Sequence, residues 1–230
     1  MPLAERYAEF LATDGVVRGL IGPREAPRLW DRHLVNCGLL AELMPPEGTV
    51  CDVGSGAGLP GLVLAVARPD LRVTLVEPLL RRTTFLEEVV AALPLDNVEV
   101  VRGRAEALHG KRRFDVVTSR AVAPLGRLLD WSMPLVAPYG ALIAMKGSSV
   151  AEEVAAARSE LAHWGCAEPE ILPLGESLGP DAGVSPTVAL RVAWADPARV
   201  SWPPATRAGG GRSKRRPTRT RTSANRRRRA

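Results

Sequence analysis

The chain has 230 residues, 46% hydrophobic and 24% charged, which suits one globular domain with a full core. Runs of eighteen or more apolar residues are absent, and Met1 to Arg6 lacks the basic-then-apolar order of a signal peptide, so a cytoplasmic protein without a membrane span is expected. The formal charge of +6 is uneven: residues 207–230 carry 11 Arg and Lys and no acid, leaving 20 basic against 25 acidic groups in residues 1–206, a net of −5.

Residues 3–44 have a helical pattern. Leu3, Tyr7, Phe10 and Leu11 recur at helical spacing, and after a break at Gly19 to Pro27 a second helix from Arg28 carries Leu29, His33, Asn36, Leu40 and Leu43. Met44-Pro45-Pro46 ends it, and residues 1–46 read as a helical extension packed on a catalytic domain at 47–195. The period then changes. Thr49–Val53, Arg72–Glu77, Val98–Arg102, Phe114–Ser119 and Ala141–Lys146 are short runs rich in Val, Ile and Leu. Helical stretches at Leu62–Ala67, Leu80–Ala92 and Pro124–Val136 separate most of them, and another, Val150–Trp164, follows the fifth. Alternation of this kind predicts a parallel sheet with helices on both faces. Glu170–Leu174 and Thr187–Val192 then read as two strands with no helix between them. Five parallel strands and a closing antiparallel pair give the α/β, class I methyltransferase (Rossmann-like) layout, a seven-stranded mostly parallel sheet. A dinucleotide domain would continue with a sixth strand–helix unit.

The first strand runs into Asp52-Val-Gly-Ser-Gly-Ala-Gly-Leu-Pro-Gly61. Glycines at alternate positions let a backbone pass close to a ligand, and the following helix offers free N–H groups to it. Gly54, Gly56 and Gly58 spell the loop common in S-adenosylmethionine-dependent methyltransferases, whereas Gly56, Gly58 and Gly61 also satisfy the dinucleotide fingerprint. Glu77, closing the second strand, is placed to bind ribose hydroxyls in either case. Asp52 before the glycines, set to fix the loop by accepting backbone N–H bonds, and the terminal strand pair favour the methyltransferase. Cys37, Cys51 and Cys166 lack metal-ligand spacing, so reduced thiols and no metal are expected. Residues 196–230 form a Pro-, Gly- and Arg-rich tail with too little apolar surface to fold, expected to be disordered; it reads either as a cationic arm for RNA or as a solvated extension.

The Asp52–Gly61 loop, Arg104-Ala105-Glu106, Ser119-Arg120-Ala121, Lys146-Gly147 and Arg32-His33 fall at intervals that resemble the bacterial small-subunit rRNA methyltransferase G family, also called glucose-inhibited division protein B. The resemblance covers roughly residues 28–194. Two pieces depart from the pattern: Arg18 to Glu25 stands where family members often carry Asn-Leu-Thr, and Asn36-Cys37 replaces an Asp-Ser pair. The basic tail is not part of the pattern. The resemblance implies methylation of guanine N7 in the 16S rRNA loop near the decoding site. It also implies S-adenosylmethionine as cofactor, and 16S rRNA or the small ribosomal subunit as partner; a monomer is expected. Gly54, Gly56, Gly58 and Leu59 would line the methionine part of the cofactor, Ala105 and Glu106 would meet its adenine, and Arg120 would lie between cofactor and reaction centre. Arg120 and Lys146 are the candidate catalytic residues. Arg32, His33, Arg112, Arg113 and Lys146 are the candidate RNA contacts, although His33 also reads as a partly buried histidine and Arg112-Arg113 as solvated loop charge. A small-molecule methyltransferase and a non-catalytic RNA-binding protein of the same fold are the alternatives. The first would need an apolar lid, where this chain offers Arg102, Arg104, Lys111, Arg112, Arg113, Arg120 and Arg127; the second would fit a degenerate glycine loop, and this loop is intact.

Overall fold

A computed structural model of the chain describes residues 2–120, 122–176 and 187–201. Ala121, most of the segment joining the last two strands and the basic tail lie outside the described residues. Seven strands form one sheet in the order β3-β2-β1-β4-β5-β7-β6. These are β1 (Thr49–Val53), β2 (Arg72–Glu77), β3 (Val98–Arg102), β4 (Phe114–Arg120), β5 (Val136–Lys146), β6 (Glu170–Leu174) and β7 (Thr187–Ala193). The first five run parallel, and β7 pairs antiparallel with both β5 and β6. This is the expected layout.

Strand alternation divides the core into two layers. Val50, Val73, Leu75, Val116 and Ile143 point to one face, where α1 (Leu3–Phe10), α2 (Val35–Leu39), α3 (Gly61–Ala67) and α4 (Leu80–Ala92) cover them. Cys51, Val53, Val76, Val117 and Leu142 point to the other, beneath α5 (Leu125–Ser132), α6 (Val150–Ala156) and α7 (Arg158–Trp164). Strands buried on both faces read as continuous apolar runs, which is why β1 and β2 stand out in the sequence. Each fully buried side chain such as Phe85 or Leu62 contributes roughly 1.5–3 kcal/mol.

Several boundaries differ from expectation. The helix read as Pro124–Val136 stops at Ser132, passes through a 3-10 turn at Met133–Leu135, and β5 starts at once at Val136. A register shift between Phe114 and Val116 absorbs Pro138, Tyr139 and Gly140, so residues with a turn-like signature extend a strand. The helix read as Val150–Trp164 breaks at Ala157 into α6 and α7. Gly165, at φ +65°, ends α7, with the Cys166 N–H returning to the Leu161 carbonyl at 3.0 Å. The second N-terminal helix is also irregular: Leu29–Leu34 is wound as a π-helix before α2 and a 3-10 turn at Leu40–Leu43.

The N-terminal segment is bound to the sheet's helices by polar contacts as well as by the core. Arg68 donates to the carbonyls of Ala41 and Met44 at 3.0 and 3.2 Å, satisfying the end of that segment. The same guanidinium pairs with Asp70 at 2.7 Å and holds that carboxyl far below its ordinary range. At the other end of the segment, Arg6 donates to the Ala92 carbonyl at 2.5 Å.

Candidate functional site

The carboxyl ends of β1, β2, β4 and β5 lie along one edge of the sheet and bring Val53, Glu77, Arg120 and Lys146 to the same side. Two cavities open there. The first, of about 560 Å3, is lined by the loop residues Gly54 to Ala57 and Leu59, by Glu77, and by Ala105, Glu106 and Arg120. The second, of about 640 Å3, is lined by Arg32, Asn36, Arg120, Met145, Lys146 and Glu153. Arg120 and Val122 border both, so the two spaces meet at the end of β4. Ligands in open α/β sheets bind at this edge.

The glycine loop is held from beneath by acids. Asp52 is fully buried, and its Oδ2 accepts the Gly61 N–H at 3.0 Å, as the sequence suggests. Burial pushes its carboxyl up to about 7, and the hydrogen bond from Gly61 only partly opposes this. Gly61 must be glycine because a Cβ would lie 2.4 Å from Leu75 and 2.8 Å from the Asp52 carboxylate. Gly58 has φ +99°, and a Cβ there would strike Leu62 at 2.4 Å and the Tyr7 hydroxyl at 2.9 Å. That hydroxyl donates to the Ala57 carbonyl at 2.8 Å, so α1 braces the loop directly.

Glu77 is 1% exposed. Its carboxylate accepts the Gly56 N–H at 3.1 Å and the Leu79 N–H at 3.0 Å, with Arg82 Nη1 at 3.4 Å. A carboxylate so buried at the cavity wall retains acceptor capacity for a diol. At Gly56, by contrast, the Cβ direction meets only the Gly54 carbonyl, at 3.8 Å. The loop therefore leaves a channel beside Gly56 that any side chain would fill. These two features fit S-adenosylmethionine: a bare backbone for the methionine portion and a buried acceptor for the ribose. Ala105 is buried and Glu106 exposed on a 3-10 turn, both on the cavity wall. Leu20, Ile21, Leu79, Arg82 and Trp131 also line this cavity and were not among the sequence candidates. Arg82, in the first turn of the helix after Glu77, had a local signal; the others arrive from distant segments.

In the second cavity, the Arg120 guanidinium donates to Cys37 Sγ at 3.6 Å. Burial keeps Cys37 protonated, with its thiol pushed up to about 12. Lys146, its side chain 9% exposed, pairs with Glu153 at 2.7 Å. Arg32 pairs with Glu25 at 3.4 Å, and His33 Nε2 meets the same carboxylate at 2.9 Å. Burial first and the nearby Arg120 charge second hold the His33 imidazole below its ordinary value, despite the pull of Glu25. His33 is therefore neutral at pH 7. It does not line either cavity.

The Arg112-Arg113 pair is not brought to this edge. Both residues precede β4, at the opposite end of the strand from Arg120. Arg112 is bound to Glu99 at 2.7 Å and to Thr74 Oγ1 at 3.0 Å, and its guanidinium lies 5.0 Å from the Phe114 ring centroid. Arg113 donates to the Ser201 carbonyl. The described residues hold no cluster of three or more His, Cys, Asp or Glu suited to a metal, and no helix among them is long and apolar enough to cross a membrane.

The strand order, the glycine loop and the buried acid at the end of β2 define a class I S-adenosylmethionine-dependent methyltransferase. Solved structures agree on the fold: a B. subtilis tRNA methyltransferase, TrmK, superposes with a TM-score of 0.54 at 15% identity over 73% of this chain and 67% of its own. TYW2 of M. jannaschii, in complex with AdoMet, does so with a TM-score of 0.54 at 17% identity over 70% and 74%. The chain belongs to the rRNA small subunit methyltransferase G family, whose model matches residues 1–175. Ribosomal RNA small subunit methyltransferase G of Nocardioides sp. is 71% identical over 228 residues, 99% of this chain and 90% of the relative. The Thermobifida fusca protein of that name is 61% identical over 162 residues, 70% of this chain and 68% of the relative. The alignment to the Nocardioides protein therefore runs into the basic tail.

Proposed function

We propose that the protein transfers a methyl group from S-adenosylmethionine to N7 of a guanine in 16S rRNA, in the loop near the decoding site. The observation that carries this reading is the junction of two cavities at Arg120. One is a glycine-lined channel with a buried ribose acceptor. The other is a space large enough for a nucleobase, edged by Arg32 and Lys146.

S-adenosylmethionine, when bound, supplies an electrophilic sulfonium methyl group. Guanine N7 keeps an in-plane lone pair and carries no proton, so no general base is needed, and alignment and desolvation supply the rate. The assignments follow from position. Gly54, Gly56 and Leu59 hold the methionine portion, whereas Gly58, off the cavity wall, lets the loop pack against Leu62 and Tyr7; Glu77 accepts from the ribose; Ala105 and Glu106 border the adenine. Arg120 binds guanine O6 or a neighbouring phosphate, since a cation beside N7 would oppose the charge that forms there. Lys146, oriented by Glu153, and Arg32 hold the RNA backbone at the mouth of the second cavity. His33 orients Glu25 and through it Arg32. Residues 1–46 complete the site by bracing the loop through Tyr7 and supplying Arg32 and Asn36. The protein acts as a monomer without a metal.

A small-molecule substrate is not favoured, because the chain belongs to a family of rRNA methyltransferases and Arg32 and Lys146 edge the second cavity. The purified protein, labelled cofactor and small subunits from cells lacking the activity test the reaction. Label should enter 16S rRNA at a base that borohydride and aniline cleave, the signature of N7-methylguanine. Label in RNA that resists this cleavage would refute the N7 assignment.

A further inference from the structure

The second cavity holds a polar atom that the proposed chemistry has not used. Asn36 lies on α2, is 9% exposed, and lines this cavity beside Lys146 and Arg120. Its Nδ2 donates to the Arg32 carbonyl at 3.3 Å, one helical turn back. Its Oδ1 is buried and accepts from no group among the described residues. A buried acceptor left unpaired costs roughly 1–3 kcal/mol, so a well-packed helix retains one where a ligand completes it. Among the described residues lining this cavity, it is the one buried polar side-chain atom without a partner. The Glu153 carboxylate, which also lines this cavity, is engaged by Lys146.

The chemistry of the base fits this atom. Guanine presents N7 and O6 along one edge and its 2-amino group at the far side of the ring system. A base entering with N7 toward the first cavity turns O6 toward Arg120, which borders both spaces. Its 2-amino group then meets another part of the wall of the second cavity, which Asn36 lines. An amino group is a donor, and the wall needs an acceptor. Adenine has no amino group at that position, and hypoxanthine keeps O6 and N7 but also lacks one. Resting on the guanine-N7 reading above, we infer that Asn36 is the specificity-determining residue of the second cavity, its Oδ1 accepting a hydrogen bond from the 2-amino group of the target guanine. The Arg32 carbonyl fixes which end of the amide faces the base. Asn36 and its neighbour Cys37, which receives Arg120, thus set both edges of the purine from a single turn of helix.

The test uses the full chain with reassembled small subunits that carry either guanine or inosine at the methylated position. The wild type should methylate guanine-bearing subunits and lose about ten- to a hundredfold in kcat/KM with inosine, the usual effect of an unmet hydrogen bond. Asn36→Leu should lose a similar factor with guanine, keep the wild-type affinity for S-adenosylmethionine, and no longer distinguish inosine from guanine. Asn36→Asp retains an acceptor and should retain the preference for guanine. Should the leucine variant fail to fold, Asn36→Ala serves in the same comparison. A variant without the amide that still discriminates against inosine, or a wild type indifferent to inosine, would overturn the assignment. The two failures are distinct: no N7-methylguanine from the wild type refutes the proposed reaction, whereas wild-type methylation with unchanged discrimination in Asn36→Leu refutes only the role of Asn36.

Discussion

Two glycines two residues apart, Gly56 and Gly58, should fail in different ways when replaced by alanine. Both have positive φ, +59° and +99°, so each alanine carries a backbone cost of roughly 1–2 kcal/mol. At Gly58 the new methyl also meets Leu62 at 2.4 Å and the Tyr7 hydroxyl at 2.9 Å, and relieving that overlap costs a further 1–3 kcal/mol or so. Gly58→Ala should therefore lose about 2–5 kcal/mol, a fall in Tm of roughly 5–15 °C for a chain of this length. Gly56→Ala, with its methyl in open space, should lose only the backbone part, a few degrees. Cofactor affinity should rank the other way relative to stability, because the Gly56 methyl enters the methionine channel itself. Thermal melts without ligand, paired with calorimetric titration of S-adenosylhomocysteine, separate the two. If Gly56→Ala bound ligand as the parent does, the channel beside that glycine would not be the methionine site.

Glu77→Ala should weaken cofactor binding measured by titration, since the loop N–H of Gly56 and the ribose both lose their acceptor; unchanged affinity would remove Glu77 from the site. Arg120→Ala should lower methyl transfer at saturating substrates far more than it lowers RNA affinity, because one phosphate or base contact among many is a small loss. Asp52 has its carboxyl raised from 3.8 to about 7, so the native state holds the proton more tightly and ionisation opposes folding as pH rises through that window. Asp52→Asn abolishes this term, and chemical denaturation should show the variant gaining on the parent between about pH 4 and pH 7; a parallel pair of curves would contradict the shift. Deleting residues 207–230 should raise KM for RNA and flatten its salt dependence by roughly 0.7–0.9 in log–log slope per lost phosphate contact, with turnover at saturating RNA unchanged.

Much of this architecture was legible because parallel strands buried on both faces leave unbroken apolar runs. β1 and β2 ended where expected, and Glu77 and the glycine loop fell at the sheet edge that collects ligands. What escaped was set by distance through space. Arg112 and Arg120 look like one basic segment, yet a seven-residue strand, about 20 Å at 3.3 Å per residue, separates them and sends them to opposite ends of the sheet. Leu20, Ile21 and Trp131 reach the first cavity from segments whose local patterns speak only of packing. The start of β5 was hidden by Pro138 and Gly140, turn residues that a register shift accommodates inside a strand. Asn36 looked like a departure from a familiar motif; its buried, unpaired oxygen became visible only once α2 was seen against the second cavity.

In the proposed reaction this protein marks one guanine of 16S rRNA at N7. Reverse-transcription mapping after borohydride and aniline treatment of 16S rRNA, from cells with and without the gene, reads that mark at single-nucleotide resolution. One cleavage site is expected in the loop near the decoding site, vanishing with the gene and returning with the wild-type protein but not with Arg120→Ala. An identical cleavage pattern in the two strains would contradict it.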